Sequence, residues 1–115
     1  MMQDWQDLIT NMNGGLKALH QGAPEVMKGF SALAQGALGG QALDKKTKEL
    51  IALALGVAAR CAPCIAYHAE AAAKLGATRE EVLEVMGMAI YMGAGPNVMY
   101  AAQGLEAFDQ LAAAR

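Results

Sequence analysis

Two cysteines and a histidine are the residues whose types and spacing could do chemistry together in this chain. Cys61, Cys64 and His68 fall at i, i+3 and i+7. On an α-helix that spacing puts all three on one stripe, with Cys64 and His68 a single turn apart. A dithiol so placed can cycle between thiol and disulfide. An imidazole one turn away can take the proton of Cys64 or pair with its thiolate. Pro63 belongs in the first turn of such a helix, where its missing N–H costs no hydrogen bond. Both sulfurs then sit near the helix N-terminus, whose free N–H groups and dipole stabilise a thiolate. Arg60 is the nearest cation along the chain.

Glu49 stands at the edge of Leu50–Ala59, a run that is apolar or glycine throughout. One helix and a tight turn would return it beside the cysteine stripe, where its carboxylate could orient His68 directly or through a water. Periodicity alone also allows a solvated glutamate in the first turns of a helix. The cysteines have two other readings: inert small core residues, or part of a zinc site. Structural zinc wants four ligands. No second CxxC or HxxxH pair is present, and Glu49 or His20 would have to complete the set. No metal site is therefore expected, and nothing in the sequence calls for a cofactor. His20, near a glycine, reads as a surface residue. Met86, Met88, Met92 and Met99 read as packing at a helix or subunit interface.

The elements that must position these residues are helical. No segment alternates at period two over strand length, so sheet is unsupported. Trp5–Met12 predicts a short opening helix ending at Asn13-Gly14-Gly15, with Trp5 as its hydrophobic anchor. A second short piece, Leu16–Gln21, stops at Gly22. Pro24 fits the first turn of a helix to about Leu38, ended by Gly39-Gly40, with Val26, Met27, Phe30, Leu33 and Ala34 as its apolar stripe. Asp44 is a good N-cap for a helix to about Ala58. Its first turn carries Lys45, Lys46 and Lys48, a solvated face or an electropositive entrance for an acidic partner or substrate. From Leu50 onward that helix is apolar on every side, which predicts that protein surrounds it. The cysteine helix should run to Leu75 and stop at Gly76. Thr78-Arg79-Glu80-Glu81 is a capping box, and Val82, Val85, Met86, Ala89 and Met92 form the next buried stripe. Pro96 starts a last helix to about Ala113. The expected architecture is a single all-α domain over residues 1–115, a helical bundle whose central hairpin, 44–75, carries the CxxCxxxH stripe.

The string Glu49-x11-Cys61-Ala62-Pro63-Cys64-Ile65-Ala66-Tyr67-His68, with its continuation through Val82, resembles the Glu…Cys-x-x-Cys-x-x-x-His signature of alkylhydroperoxidase D-like proteins of the carboxymuconolactone decarboxylase family. The likeness covers roughly residues 43–110. It implies an all-α fold around a helical hairpin, assembled into trimers or hexamers, and thiol-dependent reduction of a hydroperoxide substrate. Carried onto this chain, it makes Cys64 the peroxidatic thiol and Cys61 the resolving one, with His68 and Glu49 as the proton relay. A dithiol reductant, protein or lipoyl-type, would restore the pair. The best-studied members place a polar residue between the cysteines, where this chain has Pro63. The family also includes muconolactone decarboxylases, which lack the dithiol. Two alternatives follow: a lactone enzyme using His68 and Glu49, and a non-catalytic oligomeric redox sensor.

Composition narrows the classes further. The formal charge of −2 argues against nucleic acid, which needs a basic footprint. Met1–Asp7 is acidic and does not read as a targeting signal. Two cysteines three apart would close a trivial loop, so a cytoplasmic dithiol is expected rather than a secreted disulfide scaffold. Leu50–Ala59 is too short for a membrane span, which takes about 18–20 residues. Val85–Leu105 is long enough and uncharged, but Gly93-Ala94-Gly95-Pro96-Asn97 divides it into two helices. No membrane association is expected. At 55 % hydrophobic residues, so short a chain has more apolar side chains than one interior holds, which predicts a homo-oligomer.

Overall fold

Helices start in this chain where a side chain or a proline meets the first free N–H groups. The computed structural model describes residues 1–115 and contains α1 (Trp5–Gly22), α2 (Pro24–Leu38), α3 (Lys45–Ala58), α4 (Ala62–Lys74) and α5 (Arg79–Ala113), with no strand. Asp4 caps α1 by accepting the Asp7 N–H at 3.0 Å, and Asp44 caps α3 by accepting that of Thr47 at 2.8 Å. Pro24 opens α2 without a side-chain cap. At the start of α5 the Thr78 hydroxyl accepts the Glu81 N–H while the Glu81 carboxylate accepts the Thr78 N–H, a complete capping box.

α3, α4 and α5 form the centre, each packed on the other two, with α1 laid across α4 and α5. Trp5 and Ile9 of α1 join Leu50, Leu53 and Val57 of α3 in the core. Ile65, Ala66, Ala69, Ala72 and Ala73 of α4 meet them there, with Val82, Met86, Ala89, Ala101, Ala107, Phe108 and Leu111 of α5. The alanines of α4 leave room for three neighbours to approach one slender helix. Residues 1–5 are clasped to the far end of the chain. Glu106 accepts the backbone N–H groups of Met2 and Gln3 and the Trp5 indole N–H, and Gln110 accepts the Trp5 backbone N–H.

Long helix α5 is two limbs. Ala94 takes φ 53°, ψ −135°, outside the helical region, and Pro96 follows it. The limbs fold back on each other: Met86 lies so close to Gly104 that a Cβ there would come within 2.9 Å of the Met86 sulfur. Buried Asn97 braces the bend by donating its side-chain N–H to the Ala89 carbonyl at 2.8 Å. No helix is long and apolar enough to cross a membrane.

Four expectations from the sequence need correction. α1 runs unbroken through Asn13-Gly14-Gly15 to Gly22. Two mid-helix glycines cost only about 1 kcal/mol each, neither glycine has a positive φ, and the Asn13 side chain is engaged by the Tyr67 hydroxyl rather than by its own backbone. In α2 only Met27 of the predicted stripe is buried, while Val26, Phe30 and Leu33 face outward. α3 is not enclosed on every side, because Ile51 and Leu55 are exposed. In α5 the buried stripe is Val82, Met86 and Ala89, while Met92 lies on the outward side of the helix, 78 % exposed.

Candidate active site

The turn between α3 and α4 has no residue to spare, and this fixes where the sulfurs stand. The Cys61 N–H bonds back to the Gly56 carbonyl and the Arg60 N–H to that of Val57, both at 3.1 Å, which is a Schellman ending for α3. Arg60 takes the left-handed position of that motif, φ 56°, where glycine is usual. The next residue, Cys61, is already the N-cap of α4 and Pro63 lies in the first turn. Cys61 Sγ accepts the backbone N–H of Cys64 at 3.2 Å, and the two cysteines are joined as a disulfide.

The same hairpin brings the acid and base together. Glu49 is on the buried side of α3 with Leu50, Leu53, Gly56 and Val57. Its Oε2 lies 2.7 Å from His68 Nδ1 on antiparallel α4. The Glu49 carboxylate is nearly buried, whereas the His68 ring is 37 % exposed. With an ionised carboxylate on Nδ1, that nitrogen carries the proton and Nε2 is left as the free base. One helical turn back along α4 is Cys64. Gly56 sits opposite it, and a Cβ there would meet the Cys64 Cβ at 3.4 Å, so α3 and α4 approach closely beside the sulfur.

This group opens on an apolar depression. A cavity of about 320 Å³ between α2 and α3 is lined by Ala34, Ala37, Leu38, Ile51, Ala52 and Leu55, with Lys48, Glu49 and His68. A second, also about 320 Å³, is lined by Ala52, Leu55, Gly56, Ala59, Cys64 and His68. The two share Ala52, Leu55 and His68, so they make one groove with the acid–base pair at its centre and Cys64 at one end. Sequence reasoning did not pick out its lining; the available signal was the small residues Ala52, Gly56 and Ala59, one turn apart on one side of α3.

All four residues singled out in the sequence, Cys61, Cys64, His68 and Glu49, therefore meet at the α3–α4 hairpin. His20 is exposed on α1. No three His, Cys, Asp or Glu side chains are grouped to hold a metal ion. Two of the three lysines at the start of α3 have particular partners. Lys46 pairs with Glu81 at 3.0 Å, and Lys48 donates to the Ala37 and Gly40 carbonyls, tying the end of α2 to α3. Tyr67 donates its hydroxyl to Asn13, and partial burial raises its pKa, helped by Glu70.

Fold and site together define an all-helical protein with a Cys-x-x-Cys disulfide at a helix N-terminus and a His–Glu pair one turn away. The sequence profile of the Carboxymuconolactone decarboxylase family matches residues 24–107. A crystal structure of an apo carboxymuconolactone decarboxylase family protein from Legionella pneumophila superposes with a TM-score of 0.91 at 51 % identity, covering 94 % of this chain and 96 % of that one. An uncharacterized protein of Cupriavidus necator is 38 % identical over 96 % of this chain and 98 % of its own length. Another uncharacterized protein, from Haemophilus influenzae, is 38 % identical over 95 % and 96 %. The chain belongs to the carboxymuconolactone decarboxylase family.

Proposed function

We propose that this protein is a thiol-dependent peroxidase that reduces hydroperoxides with the Cys61–Cys64 pair. The observation that carries this reading is the meeting of a Cys61–Cys64 disulfide, an imidazole one turn from Cys64 and a nearly buried carboxylate 2.7 Å from that imidazole, with Cys64, His68 and Glu49 on the wall of the apolar groove. His68 takes the Cys64 proton, and the thiolate attacks the outer peroxide oxygen. The O–O bond breaks, the alcohol leaves with a proton from His68, and Cys64 becomes a sulfenic acid. Cys61 then attacks Cys64, expelling water and closing the disulfide. A dithiol reductant returns two electrons and two protons. Glu49 holds the His68 ring in place through each transfer. The working compartment in this reading is the cytoplasm, where thiol reductants are supplied.

We further read the working form as a homo-oligomer. Phe30 and Leu33 of α2, Leu55 of α3, and Met88, Tyr91, Met92 and Met99 of α5 all remain more than half exposed. So many large apolar side chains left facing outward on α2, α3 and α5 are what contact with further copies of the chain would cover.

The test of the peroxidase reading is steady hydroperoxide consumption by purified protein with a set of dithiol reductants. Turnover that disappears in Cys64→Ser supports it. Lactone conversion that survives loss of both cysteines would instead select acid–base chemistry by His68 and Glu49. Disulfide formation without turnover would select a redox sensor.

A further inference from the structure

We propose that the dithiol reductant attacks the same sulfur as the peroxide, Cys64 Sγ, and that Cys61 is the leaving thiolate, held by the start of α4. This rests on the peroxidase reading and adds the direction of its second half. Thiol–disulfide exchange is an in-line displacement, so the incoming sulfur arrives on the side of the attacked sulfur away from its partner. Cys64 lines the groove together with Leu55, Gly56, Ala59 and His68; Cys61 is not on its wall. A thiol that enters the groove therefore meets Cys64 and not Cys61.

The leaving group agrees. The lower the pKa of a departing thiol, the faster it leaves. Cys61 Sγ is the N-cap of α4 and accepts the Cys64 N–H at 3.2 Å, so negative charge released there falls on a donor already in place and on the positive end of the helix. Attack on Cys61 would need a nucleophile arriving outside the groove, two helical turns from the only imidazole of the site.

The steps balance as follows. The first thiol of the reductant gives its proton to His68, and its sulfur bonds to Cys64 Sγ. The Cys61–Cys64 bond breaks and its electron pair leaves on Cys61. The reductant's second thiol passes its proton to the Cys61 thiolate and attacks the reductant's own first sulfur. Cys64 leaves as a thiolate and takes the proton from His68. Two thiols become a disulfide, and the protein regains two thiols. Peroxide and reductant thus alternate in one groove. Ping-pong kinetics follow, with inhibition at high reductant as it competes for the reduced protein.

The experiment treats the oxidised full-length protein briefly with 2-mercaptoethanol, quenches with acid and alkylates the freed thiol. Cleavage after Arg60 and Lys74 gives one peptide holding both cysteines, and fragmentation locates each label. The expected result is the mixed disulfide on Cys64 and the alkyl group on Cys61, by about tenfold or more over the reverse. As a second arm, Cys61→Ser and Cys64→Ser are each loaded with thionitrobenzoate, and its release by dithiothreitol is timed. Release from Cys64 should be faster by a similar factor. Equal labelling, or a majority of the mixed disulfide on Cys61, overturns the proposal even if peroxide turnover is robust. Labelling on Cys64 without any peroxide turnover would uphold the direction of reduction and fail the peroxidase reading, and with it the sharing of that sulfur by a peroxide.

Discussion

Replacing Glu49 with glutamine tests the acid–base pair with little change of shape. The carboxylate lies 2.7 Å from His68 Nδ1 and is nearly buried, so a charge-assisted hydrogen bond becomes a neutral one. Bonds of the charged kind are worth about 1.5–3 kcal/mol, against about 1 kcal/mol for neutral ones. The difference, about 0.5–2 kcal/mol, corresponds to roughly 2–30-fold in rate at 1.36 kcal/mol per decade. Groups that themselves transfer the proton typically contribute about 10²–10⁴. Glu49 acts through His68, whose ring is 37 % exposed and open to water, so a loss near tenfold is the expected value. Glu49→Ala, which removes the acceptor entirely, should lose more. The assay is stopped-flow oxidation of the reduced protein by an organic hydroperoxide between pH 6 and 9, with thermal unfolding in parallel. Glutamine still accepts from Nδ1–H, so stability should fall by no more than the same difference, about 0.5–2 kcal/mol. Wild-type oxidation rates across that pH range, in a variant that melts normally, would refute the coupling between Glu49 and the thiol.

Three further expectations concern the frame around the site. Ala94 occupies a conformation suited to glycine, so Ala94→Gly should stabilise by about 1 kcal/mol, a rise of roughly 4 °C in Tm. Gly93→Ala should do the opposite, because its Cβ would run into the Asn97 side-chain amide; calorimetry on both reads the sign. Hydrogen bonds from the Met2 backbone N–H, from Trp5 and from Gln3 hold the Glu106 carboxyl below the usual 4.5. A depressed carboxylate contributes its stability fully above the unfolded value and loses it as pH falls through the folded one. Release of the amino-terminal clasp is therefore expected below about pH 4.5, read by Trp5 fluorescence, and Glu106→Gln should flatten that transition. If it does not, another group controls the clasp. Finally, Phe30→Lys or Met92→Lys should dissociate or precipitate the protein, and sedimentation of a stable wild-type monomer at micromolar concentration would refute the assembly reading.

The helix starts and most of the stops were legible in the sequence because their causes are local. Asp44, Thr78 with Glu81, Pro24, Pro63 and Gly76 each act on backbone groups within a turn, so residue type and spacing suffice. The same holds for the Cys61–Cys64–His68 stripe, which any helix through those positions must produce, and for the interruption near Pro96. Tertiary structure decided the rest. Gly14 and Gly15 pass through α1 because the helix that carries them is anchored by Trp5 and by the bond from Tyr67 to Asn13, neither of which is visible in a local window. Arg60 is left-handed because α4 must begin at the next residue, a demand set by the hairpin and not by arginine. Glu49 could have faced water or protein from its own helix alone. It turns inward because α4 lies antiparallel on that side and places His68, nineteen residues on, against its carboxylate. The outward faces of α2 and α5 show the same limit from the other direction: periodicity tells which residues of a helix share a side, and only the neighbours present in space determine which side is inside.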